Sequence, residues 1–80
     1  MDQEVERARP VVQAAVTEKL GWRPDEYTLR GRRIDQEKQV MVIDVAHHDD
    51  YRKAVPGGGK SWQVEYDLRK GTILRWLKFQ

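Results

Sequence analysis

The sequence contains no cysteine, which excludes a disulfide framework, thiolate chemistry and thiolate metal sites. It has two histidines, adjacent at positions 47 and 48, so a zinc site built from separated elements has little to draw on. No stretch approaches the roughly 20 consecutive apolar residues of a membrane helix. The first nine residues mix acid and base and lack the apolar run of a signal peptide. Neither sign of charge dominates: 15 Lys and Arg stand against 13 Asp and Glu, a mixed surface with a net charge of +2 and not in itself a nucleic-acid footprint. Eighty residues allow one modest core and no cofactor-binding fold beside a substrate domain. The expectation is a single domain over 1–80, cytoplasmic, without cofactor or membrane partner.

What is present is strongly patterned. Val5, Ala8, Val12, Ala15, Val16 and Leu20 recur at three- and four-residue spacing, the signature of one helical face. Asp2 is suited to cap this helix, and Glu4 and Glu6 favour its first turn. Pro10 removes a backbone donor, so the helix either begins near residues 7–10 or bends there. Gly21 fits the left-handed residue after the last turn, Trp22 can fold back onto Val16 or Thr17, and Pro24 prevents continuation.

From Tyr27 onward the period changes to two. Tyr27, Leu29 and Gly31 alternate with Thr28, Arg30 and Arg32; Met41, Ile43 and Val45 form one row, with Val40 and Val42 on the other. Trp62, Val64, Tyr66 and Leu68 point inward opposite Gln63, Glu65 and Asp67. The predicted fold is α+β: one N-terminal helix packed on a four-stranded antiparallel β-meander. Pairing Leu29 with Ile43 keeps the apolar residues of the first hairpin on one face. Arg69, Lys70 and Gly71 read as a three-residue turn, and pairing Leu68 with Thr72 sends Leu74 and Trp76 inward. Ile73, Leu77 and Phe79 then lie on the open face of an edge strand, with Arg75 in diagonal reach of Glu65.

The order of one helix and four strands resembles PepSY domains, and more distantly cystatin-like folds. The local match is Trp62-Gln63-Val64-Glu65-Tyr66-Asp67 followed by Leu68-Arg69-Lys70-Gly71-Thr72-Ile73-Leu74. The resemblance implies a noncatalytic domain, inhibitory or regulatory towards a peptidase or membrane partner. PepSY proteins are usually exported, and no export signal is read here. The glycine of the cystatin inhibitory hairpin is missing from Gln39-Val40-Met41-Val42-Ile43.

Several motifs invite stronger readings. Ala54-Val55-Pro56-Gly57-Gly58-Gly59-Lys60-Ser61 approximates a phosphate-binding loop, but such a loop needs a following helix, and 61–66 is strand-like. The plainer reading is a long, mobile connection over 48–60. His47, His48, Asp49 and Asp50 are potential metal ligands, yet neighbours on a strand point to opposite faces. Ser61 can lie at the same sheet end as His47, His48 and Asp49, a serine–histidine–carboxylate arrangement with no evident oxyanion hole. Arg30, Arg32 and Arg33 with the aromatic residues offer a nucleic-acid alternative, opposed by Asp44, Glu65 and Asp67 on the same face.

The expected function is therefore noncatalytic protein interaction, through self-association or a protein partner. The candidate contact residues are Ile73, Arg75, Leu77, Phe79, Val40 and Val42. Nucleic-acid binding is the alternative, and a small hydrolase a more distant one.

Overall fold

The computed structural model describes residues 1–52 and 59–78. Helix α1 (Asp2–Leu20) is followed by a short 3-10 turn (Pro24–Glu26) and by strands β1 (Tyr27–Asp35) and β2 (Val40–His47). A single helical turn, α2 (Asp49–Arg52), leaves β2, and β3 (Trp62–Asp67) and β4 (Thr72–Lys78) complete an antiparallel sheet of order β1-β2-β3-β4. The α+β meander read from the sequence is the fold. No helix among the described residues is long and apolar enough to cross a membrane.

α1 runs unbroken through Pro10, which is exposed. Met1, not Asp2, occupies the capping position, and its carbonyl accepts the Val5 N–H. The stop follows expectation: Gly21 takes φ 71° and donates to the carbonyls of Val16 and Thr17. Trp22 lies edge-on to the His47 ring at 4.6 Å and tilted to Tyr27 at 6.1 Å.

The helix crosses one face of the sheet from β1 towards β4. At its start Met1 and Val5 sit directly over Gly31; at its end Lys19 Nζ lies 5.6 Å from the Trp76 ring. Val5, Ala8, Val12 and Val16 close a core against Tyr27, Leu29, Met41, Ile43, Val45, Val64 and Tyr66. These side chains share one face because they alternate along their strands, so burying them orients the whole sheet.

Two registers differ from the sequence reading. Leu29 stands opposite Val45, and Ile43 opposite Gly31. The shift is two residues, so every side chain keeps its face. The last hairpin differs more: Asp67 pairs with Thr72, leaving a four-residue turn, 68–71, in which Gly71 has φ 70°. Asp67 Oδ1 accepts the N–H groups of Arg69 and Lys70 and holds that turn.

Both edge strands carry a bulge. In β1 the register shifts between Gly31 and Arg33, so Arg33 faces outward opposite Val42 and Ile34 returns to the inner row opposite Met41. Strict alternation would have driven the Arg33 guanidinium into the core. In β4 the ladder passes from Tyr66–Ile73 to Glu65–Arg75, and Leu74 is the extra residue. Ile73 and Trp76 therefore both face the helix side and pack on the core, while Leu74 is 51% exposed.

Candidate functional site

The expected contact residues do not form one surface. Ile73, expected on the open face, turns inward, because the one-residue change in hairpin register moves it opposite Tyr66. Leu74, expected inward, is expelled by the bulge. Val42 does belong to the open face, but it is only 5% exposed, set between Arg33 and Glu65 in the ladder. Val40 is half-buried beside it. Leu77 faces outward opposite Gln63 and is half-exposed, as the alternation required. Phe79 lies outside the described residues.

The centre of the open face is a charge network. Arg32 clasps Asp44 through Nε to both carboxylate oxygens at 3.2 Å and through its terminal nitrogen at 3.1 Å. Gln63 Nε2 donates to the same carboxylate at 2.9 Å, and Asp44 is buried beneath them. Across β3, Arg75 grips Glu65 with two hydrogen bonds of 2.7 and 3.1 Å. The Arg75 hydrogen bonds hold the Glu65 carboxyl below its usual range, with Arg33 and Lys38 adding a weaker pull in the same direction. Basic and acidic side chains thus answer one another across this face, which leaves little net attraction for phosphate.

The far end of the sheet gathers the histidine–aspartate run and Ser61, and each group there has a structural engagement. Asp50 accepts from the Lys60 N–H at 2.9 Å, the Ser61 N–H at 2.8 Å and the Ser61 hydroxyl. Burial alone would raise the Asp50 carboxyl; the bonds from Ser61 and Lys60 outweigh it and hold the group low. Ser61 Oγ also accepts the His47 backbone N–H at 3.0 Å and is buried. The His47 ring accepts the Asp49 N–H at Nδ1 and is packed under Trp22, while His48 Nε2 meets the Thr28 hydroxyl at 3.0 Å. Lys60 Nζ pairs with Asp49 at 2.8 Å.

The ends of the 48–60 connection are therefore built structure. Gly59 lies so close to Asp50 that an added Cβ would approach its Oδ2 to 2.9 Å. Residues 53–58, with most of the glycine run, lie outside the described residues. β3 follows directly, so the helix that a phosphate loop requires does not come next. No group of three potential metal ligands converges among the described residues.

Of the two sheet edges, the one that presents apolar side chains to solvent is β4. It ends the sheet, and its second side has no strand neighbour among the described residues. Leu74 projects from it, Leu77 and Trp76 are half-exposed, and Trp76 stacks edge-on with Trp62 at 6.2 Å. Lys78 Nζ lies 4.7 Å from the Trp62 ring centre. Leu74, Trp76, Lys78 and Lys19 were not among the residues expected from the sequence. The signal for Leu74 was the spacing of Ile73 and Trp76, which a continuous strand cannot place on one face; Lys19 and Lys78 reach the tryptophan rings only through tertiary packing. No family model, curated protein or solved structure matches this chain.

Proposed function

We propose that this domain is a noncatalytic protein-interaction module that binds an extended segment along β4. The observation that carries the reading is a seven-residue sheet-edge strand with apolar side chains, one side of whose backbone has no strand neighbour among the described residues. Edges of this kind template strand addition, in which main-chain bonds supply affinity and side-chain contacts supply selectivity. The resemblance to PepSY domains points the same way, towards regulation of a partner. The contact is small, which favours a transient association over an obligate one.

Nucleic-acid binding through Arg30, Arg32 and Arg33 has less support, because Arg32 is held by Asp44 and Glu65 shares the same face. The test is a selection of displayed extended peptides against the wild-type domain. Binders recovered this way should lose affinity at least tenfold for Leu74→Lys/Leu77→Lys, with the thermal melt unchanged. Binders indifferent to that pair of substitutions, or no binders and no self-association, would contradict the proposal.

A further inference from the structure

Resting on that reading, the charge around β4 narrows the occupant. The strand carries Arg75 and Lys78 and no acidic residue. Arg69 and Lys70 stand in the turn at one end, and Lys19 and Lys78 bracket the other, each beside a tryptophan ring. The nearest carboxylates are engaged: Glu65 by Arg75, and Asp67 by the turn amides. No carboxylate among the described residues pairs with Lys19, Lys70 or Lys78. We propose that β4 takes an extended, acidic peptide segment of another protein, and not a second copy of itself.

The exclusion of self-pairing follows from the same residues. Two copies paired antiparallel along this edge keep like faces together, so Arg75 opposes Arg75 when the register centres there, while registers centred on Trp76 or Leu77 set the two Arg75 or the two Lys78 side chains diagonally across the ladder. Sliding the register brings no acid into reach, because the strand has none. Like charges directly opposed across a ladder are destabilising. An acidic segment reverses this: its carboxylates meet Lys19 and Lys78 at one end and Arg69 and Lys70 at the other. Where acidic and apolar residues alternate along it, the carboxylates stand on the helix side, which Lys19 and Lys78 share with Trp76, and the apolar side chains lie against Leu77 on the open side. The bulge interrupts the edge at Leu74, so regular pairing is confined to 75–78, with Leu74 projecting beside the bound segment.

The test uses the 80-residue chain and three synthetic extended peptides of equal length, alternating valine with glutamate, glutamine or lysine. Binding is followed by tryptophan fluorescence at two salt concentrations, and solution mass is measured in parallel. The expected result is a monomer that binds the glutamate peptide at least tenfold more tightly than the glutamine one. That preference should shrink as salt rises and invert in Lys19→Glu/Lys78→Glu. Both lysines are exposed, and a matched melt checks that the variant is folded. Equal binding of all three peptides, or a wild-type dimer paired through β4, would overturn the acidic specificity while leaving strand addition standing. Failure of every peptide together with a monomeric protein, or binding of single-stranded oligonucleotide in their place, would overturn both.

Discussion

β1 and β4 both end the sheet, both lack a strand neighbour on one side among the described residues and both carry a bulge, yet they present unlike surfaces. Over β1 the helix begins so close that Gly31 has no room for a side chain, and the other face is held by the Arg32–Asp44–Gln63 network. Over β4 the helix is ending, Trp76 remains half-exposed, and Leu74 and Leu77 face solvent. The residue that the β1 bulge sets outside the ladder is Arg32, which pairs with Asp44; the one that the β4 bulge sets outside is Leu74, which is exposed. The same backbone device therefore closes one edge with polar partners and leaves the other with apolar surface to cover.

The largest effect is expected where the two halves meet. Val64 is fully buried between Ile43 and Trp76 in the ladder. Val64→Asp should abolish the cooperative melt, since an unpaired buried charge costs several kcal/mol against a total of about 5–15 kcal/mol. A near-wild-type melt would mean that this face is not the core.

Next comes the β1 side. A Cβ on Gly31 would lie 2.6 Å from Met1 Sδ and 2.8 Å from Val5 Cγ2. Gly31→Ala should destabilise by about 1–3 kcal/mol, because Val5 is stiff and buried even though Met1 can yield. An unchanged melt would show that the helix start is not pinned on β1.

The sheet end supplies a pH signature. Asp50 and Glu65 are both held below the ordinary carboxylate range in the folded chain. A group lowered on folding contributes stability above its unfolded pKa, about 4 for carboxylates, and loses that contribution as pH falls through the lowered folded value. Asp50→Asn should therefore flatten the acid limb of a stability-versus-pH curve and weaken the tie from Asp50 to Lys60 and Ser61. Parallel acid limbs for the two proteins would separate Asp50 from the acid response.

The smallest effect belongs to β4. Leu74→Lys should change stability by less than about 0.5 kcal/mol, as expected of a surface position away from packed features. The identical class of change at Leu29, on the inner row of β1, should be severe.

Periodicity was enough to read the helix, the four strands and the inward rows of β2 and β3, because each of those rows is apolar without interruption. It failed at both bulges for one physical reason. A bulge breaks the two-residue alternation, so Arg33, Ile34, Ile73 and Leu74 could be faced correctly only by asking which placement avoids a buried charge or fills the core. Val42 misled differently: alternation placed it on the open face correctly, but exposure there depends on the long polar side chains around it. The Asp50–Ser61 tie joins residues separated by eleven positions, and no local pattern encodes it. The apolar surplus of the last strand was legible, although its facing was not.

The most direct measurement of the account is a nitrogen-15 NMR titration with the glutamate–valine peptide, comparing the two edges in one spectrum. The predicted result is amide shift changes confined to Thr72–Lys78 and slowed exchange within 75–78, with the indole signals of Trp62 and Trp76 moving and Tyr27–Asp35 unaffected. Changes centred on β1 or on Arg30 and Arg33 would contradict it.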